Sequence, residues 1–182
     1  MLQLKIQISP EMWDEKNGVF VEPKYRILTL EHSLVSLSKW ESKWCKPFLD
    51  EKRTMTTEES IDYIKCMTLT QNVPSDTYDH ISQENVDEVS KYIGAPMTAT
   101  WFSDGKKGGR NKEIVTSELI YYWMIALNIP LDCQKWHLNR LMTLIRVCNI
   151  KNAPPKKMSK RATASKYAAL NAARRQQYNS KG

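Results

Sequence analysis

The apolar residues of this chain change period near residue 32, and that change confines what it can fold into. Leu2, Leu4, Ile6 and Ile8 alternate with Gln3, Lys5 and Gln7, a period of two that gives an extended segment one apolar face. Asn17-Gly18 tolerates the positive φ angles of a type I′ turn and lies between Met12-Trp13 and Val19-Phe20-Val21, so a hairpin is predicted there. Tyr25–Leu30 adds a third strand. After His32 the spacing becomes threes and fours, with Leu34, Leu37, Glu41 and Trp44 following Ser33 as an available N-cap. The expected fold class is mainly α (α+β), a helical domain with a small N-terminal β-hairpin or meander.

Helix signals continue along the chain. Pro47 ends the first helix or its following turn, and Thr56 with Glu59 forms a capping box that opens a second, carrying Ile61, Ile64 and Met67 to about Thr70. Ser82 opens a third, with Val86, Val89 and Ile93 on one face and Gly94 and Pro96 at its close. Asn111 or a neighbour caps a long helix to about Asn128, which Pro130 stops. Leu131–Ile150 supplies the last helix of the body, where Leu138, Leu141, Met142, Ile145 and Cys148 form a stripe widened by Leu144 and Val147. Pro154-Pro155 marks the body's edge, which gives a domain over residues 1 to about 152 and a tail over 153–182. Within the tail, Ala162–Gln177 has good helix propensity but few large apolar residues to dock it.

Charge is distributed as unevenly as period. Of the 27 Lys and Arg residues, nine lie from Lys151 onward, where there is no Asp or Glu; upstream, 18 cations meet 20 carboxylates, a net charge of −2. A near-neutral body therefore carries a cationic tail. A chain of 182 residues with 41% hydrophobic content suits one core-forming domain plus an extension. Cys45, Cys66, Cys133 and Cys148 are widely spaced, as expected of reduced cytosolic thiols and unlike a compact disulfide framework. The N-terminus alternates where a signal peptide would run apolar, and the longest apolar run, Leu119–Leu127, is too short for a bilayer, so an intracellular protein is expected.

No constellation in the sequence favours catalysis, a cofactor or a metal. Cys133 and His137 would share a helix face, but a zinc ion needs further ligands and no partner motif supplies them. As nucleophile and base, the same pair would be badly aimed from one helix. Gly105, Gly108 and Gly109, among Lys106, Lys107 and Arg110, are not in the order of a phosphate-binding loop and suit a solvated hinge over 104–110. Glu58-Glu59 and Asp87-Glu88 fall at helix starts or on polar faces, where they complement the macrodipole or stay hydrated.

Two features remain for binding. Tyr121, Tyr122 and Trp123 point three ways around one helix, with Trp136 facing them from the next; Trp123 is assigned to the core, while Tyr121 and Tyr122 are divided between core and interface. The tail offers Lys156, Lys157, Lys160, Arg161, Arg174 and Arg175 to phosphates through counterion release. Its two aromatics, Tyr167 and Tyr178, match no nucleic-acid-binding signature, so such binding would be non-specific.

Three stretches, EHSLVSLSKWESKWCKPF at 31–48, ELIYYWMIALNIP at 118–130 and CQKWHLNRLMTLIRVCNIKN at 133–152, together with PPKKMSKR and the final Asn-Ser-Lys-Gly, carry a family likeness. The chain resembles the tail assembly chaperones of long-tailed bacteriophages over most of its length after residue 30. The resemblance implies a helical, non-enzymatic protein of the host-cell cytoplasm that coats the hydrophobic tape measure protein and is absent from the finished virion. It also implies a longer product made by ribosomal frameshifting, for which Lys181-Gly182 and Lys156-Lys157 could be encoded by slippery codons. On this reading Tyr121, Tyr122 and Trp136, with the Leu138, Leu141 and Ile145 stripe, are the expected partner contacts, and self-association is a further expectation.

Overall fold

The computed structural model describes residues 1–14, 18–50, 52–102, 114–154 and 160–179. Asn17, the 104–110 loop with its glycines and cations, Asn111, Pro155, Lys156, Lys157 and Lys181-Gly182 lie outside the described residues. The fold is mainly helical with a small N-terminal antiparallel β element. Its contacts divide it into two compact units, Met1–Asn149 and Ile150–Gly182.

Strands β1 (Leu2–Ser9), β2 (Met12–Asp14), β3 (Val19–Val21) and β4 (Lys24–Leu30) are the two arms of one long hairpin. β1 pairs with β4 from Leu2 opposite Leu30 to Gln7 opposite Tyr25. Ile8 is then an extra residue, so that Ser9 faces Lys24, and the shifted register continues through Met12 opposite Val21 to Asp14 opposite Val19. The third strand expected from Tyr25–Leu30 thus returns beside the first. A two-residue Asn17-Gly18 turn would set Lys16 opposite Val19; the ladder fixed at the base and the bulge at Ile8 put Asp14 there instead. Gly18 keeps the expected left-handed backbone, at φ 62°.

The shifted register has a second effect. It sets Pro10 opposite Pro23 and Glu11 opposite Glu22, and the ladder breaks there. Prolines donate no ladder hydrogen bond and like charges face one another unfavourably. The hairpin is so divided into a base, β1–β4, and a distal arm, β2–β3.

The base covers the first of two apolar clusters. Leu4, Ile6, Leu28 and Leu30 on its inner face meet Trp40 of α1 (Leu34–Trp44), Tyr63, Ile64 and Met67 of α2 (Thr57–Met67), and Val89 and Tyr92 of α3 (Gln83–Gly94). The second joins Leu34 and Leu37 of α1 to Ile120 and Met124 of α4 (Ser117–Ala126) and to Leu138, Leu141 and Ile145 of α5 (Leu138–Asn152). Helix α1 therefore serves both clusters, and Trp40, fully buried, donates its indole N–H to the Glu59 carbonyl at 3.0 Å. Helix α6 (Lys160–Tyr178) lies in the second unit.

Caps fall where the residue types place them. Ser33, Thr56 and Ser82 each accept an amide from the third helical residue, and Glu59 returns the bond as expected; Ser36 and Asn85 do the same at α1 and α3. Helix α1 ends at Cys45 in the left-handed conformation, φ 52°, two residues before Pro47. Two helices are shorter than the sequence suggests. Helix α4 starts only at Ser117, and Leu131–Ile150 splits into a 3-10 turn over Leu131–Lys135 and α5.

Helix α4 starts where it does because of Glu41. Its buried carboxylate accepts the Ser117 amide at 2.7 Å and the Phe48 amide at 2.8 Å, so one α1 side chain fixes both the loop after α1 and the first turn of α4. Glu41→Ala should lower the unfolding free energy by about 2–4 kcal/mol, since two amides lose their acceptor. Glu41→Gln should cost less, and urea denaturation of both variants measures the difference.

Candidate partner-binding surfaces

Among the described residues, the largest concentration of exposed apolar side chains is on the hairpin arm. Met12, Val19 and Val21 share one face and Trp13 and Phe20 the other, because side chains alternate along each strand. Trp13 is 52% and Phe20 66% exposed, and their rings meet edge-on at 4.7 Å. A two-stranded ribbon in water is marginal by itself, and this one is apolar on both faces.

A smaller apolar ridge runs along α4. Tyr122 and Ile125, one turn apart, are 63% and 68% exposed, while Ile120 and Met124 point into the core. Tyr121 is half-buried, donates its hydroxyl to Gln134 Oε1 at 2.8 Å, and has its pKa raised by burial. Trp123 is also half-buried and packs against the second cluster. Trp136 is half-buried under the Arg140 guanidinium, 4.1 Å from its ring. Leu138, Leu141 and Ile145, expected as partner contacts, are instead 2%, 0% and 4% exposed. They pack on Leu34, Leu37, Ile120 and Met124, so the stripe is the body's own core and cannot meet a partner in this conformation.

Beside α5 lies a cleft of about 400 Å³ lined by Thr98, Trp101, Phe102, Met142 and Arg146, among others. Trp101 is 87% exposed and the Arg146 guanidinium sits 4.0 Å from the Phe102 ring. A second hollow, about 570 Å³, is lined by Lys43, Lys65, Glu58, Asp62 and Asp79 around Trp44. Two of its charges pair across it: Asp62 accepts from Lys43 and, at 2.8 Å, from the Trp44 indole.

On α6, Arg161, Arg174 and Arg175 are exposed, as are Tyr167, Leu170 and Tyr178, and Lys160 opens the helix. At 100° per residue the three arginines and Lys166 are spread around the whole helix and make no single cationic stripe.

The Cys133–His137 pair is not on a common helix, since Cys133 belongs to the 3-10 turn and His137 precedes α5. Both His137 nitrogens are engaged: Nε2–H donates to the Tyr92 carbonyl at 3.1 Å, and Nδ1 accepts the Asn139 amide at 3.3 Å, capping α5. His32, whose ring lies 5.1 Å from that of His137, shares a 2.6 Å hydrogen bond with the Tyr63 hydroxyl. Tyr92 in turn donates to Glu31 Oε1 at 2.8 Å. Among the described residues no three His, Cys, Asp or Glu side chains group to hold a metal ion, and the four cysteines are free. Nor is any described helix long and apolar enough to cross a membrane. Glu59, read from sequence as a helix-start carboxylate, is buried and also binds Lys46 and Arg53. The Thr56 amide and then the Lys46 ammonium hold its carboxyl down at about 2.

Sequence reasoning missed the arm and Trp101 as surface. A signal was present for the arm: Met-Trp and Val-Phe-Val are unbroken apolar runs, which put large side chains on both faces of a ribbon with no third layer. Comparison with protein-family models, with curated proteins and with solved structures finds no match to this chain.

The buried histidines make stability depend on pH. Burial first, and then the neighbouring His137, lower the His32 pKa to about 3, and burial lowers that of His137. The unfolded chain takes protons on both near pH 6.5 while the folded chain refuses them, so stability is complete above that pH and falls below it. Urea unfolding should lose roughly 2 kcal/mol between pH 7 and pH 5 from His32 alone. His32→Gln should flatten that slope.

Proposed function

We propose that this protein is a non-enzymatic phage tail assembly chaperone that binds the tape measure protein and keeps it soluble until tube subunits polymerise around it. The observation that carries this reading is exposed apolar surface on ordered elements: the arm with Met12, Trp13 and Phe20, and the α4 ridge with Tyr122 and Ile125. A long apolar helix presents side chains every three to four residues, and a ridge of matching period, such as Tyr122 and Ile125, receives them without demanding a particular sequence. The family likeness of residues 31–48, 118–130 and 133–152 supports the same reading. Tyr122 is then the principal contact, Tyr121 and Trp136 contribute their exposed edges, and the Leu138, Leu141 and Ile145 stripe supports the ridge from beneath. On this reading the protein works in the host-cell cytoplasm, is not retained in the virion, and its tail leads into a longer frameshifted product.

A second reading, non-specific nucleic-acid binding, has one observation in its favour: α6 carries exposed cations and no carboxylate. Charges spread around a helix hold phosphate chains without fixing an orientation, which suits affinity but not sequence readout.

Co-expression with the tape measure protein should raise that protein's soluble fraction. Tyr122→Ser with Ile125→Ser should weaken binding roughly tenfold or more, as two exposed apolar contacts are lost. No gain in solubility, together with salt-sensitive DNA retention that disappears on deleting residues 153–182, would favour the second reading.

A further inference from the structure

We propose that the cleft beside α5 binds a short segment of another protein in which an aromatic side chain stands next to a carboxylate. Trp101 lines it while 87% exposed, an unusual position for so large an apolar side chain, and the Arg146 guanidinium lies 4.0 Å from the Phe102 ring. A guanidinium over a ring still has N–H donors at its edge, where they can take a carboxylate by two parallel bonds. Among the described residues no carboxylate pairs with Arg146, and neither residues 95–102 nor α5 contain one.

The rest of the cleft fits such a segment. Its volume of about 400 Å³ has room for one or two rings, and Met142 adds a thioether that adapts to a ring's edge. Its wall is held in place, because Asn139 of α5 donates to the Ile93 and Ala95 carbonyls at 2.9 and 2.8 Å, and the Thr143 hydroxyl donates to the Asn139 carbonyl at 2.8 Å. With those groups engaged, Arg146 is the one charge among the described residues of the lining. Residues 97–102 are neither helix nor strand, and among the described residues their backbone makes no hydrogen bond to backbone elsewhere, which leaves amides and carbonyls for an incoming chain to meet. A phosphate chain fits less well: one cation neutralises one phosphate, which for a single strand gives a salt slope of only about −0.7 and little affinity. The hollow around Trp44 is the converse case, since Glu58 and Asp79 would repel the segment's carboxylate. Neither Tyr122 nor Ile125 lines the cleft, so the inference stands apart from tape measure binding.

Titration of the full chain with acetyl-Glu-Phe-Asp-amide, followed by NMR at the Trp101 indole N–H, should give a dissociation constant of about a millimolar. Acetyl-Glu-Ala-Asp-amide, which lacks the ring, and acetyl-Lys-Phe-Lys-amide, which reverses the charge, should each bind roughly tenfold more weakly. Arg146→Gln should erase the preference for the acidic peptide over the basic one and keep that for the ring. Trp101→Leu, followed at the Phe102 and Arg146 amides, should weaken the acidic peptide by a similar factor. Thermal unfolding by circular dichroism should be nearly unchanged in both variants, because both side chains are exposed. No shift at the Trp101 indole up to about 10 mM peptide overturns the proposal. So does equal binding of the acidic and basic peptides, and so does tighter binding of oligothymidylate at the same residues, which would make the cleft a nucleic-acid site.

Discussion

Three consecutive residues, Glu31, His32 and Ser33, tie this body together. The Glu31 amide bonds to the Met67 carbonyl at the end of α2, and its carboxylate accepts the Tyr92 hydroxyl of α3. His32 reaches Tyr63 of α2 with its ring, while its carbonyl accepts the Leu138 amide at the start of α5. Ser33 caps α1 and forms a bridge with His137. All three are nearly or fully buried, so each of these polar groups must be paired inside the protein or incur its desolvation cost. The turn from β4 into α1 is accordingly the point from which α2, α3 and α5 take their positions.

That dependence explains which parts of the fold were legible. Caps are local: Ser33, Thr56 and Ser82 announce helix starts because a side chain three residues from an amide needs no knowledge of the rest. The break at Trp136-His137 is non-local. Apolar spacing runs on from Leu131 through Leu138, as one helix would have it, but the Leu138 amide is taken by the His32 carbonyl and the chain is drawn extended beside Ser33. The late start of α4 has the same kind of cause, since the Ser117 amide is claimed by Glu41, 76 residues away. Strand pairing divides likewise: alternation finds β1, but only the return of β4 and the bulge at Ile8 fix the register that sets proline against proline.

The candidate surface was harder to read than the fold. Leu138, Leu141 and Ile145 are apolar at helical spacing, and such a stripe has one signature whether it meets the chain's own core or another protein. Placement of α1 against it decides the matter, and nothing within residues 138–145 encodes that placement. Tyr122 and Ile125 sit within the run Leu119–Leu127, whose two sides look alike in sequence and differ completely in burial. Buried His32 carried no signal, because a lone histidine after a strand is as common on a surface as under one.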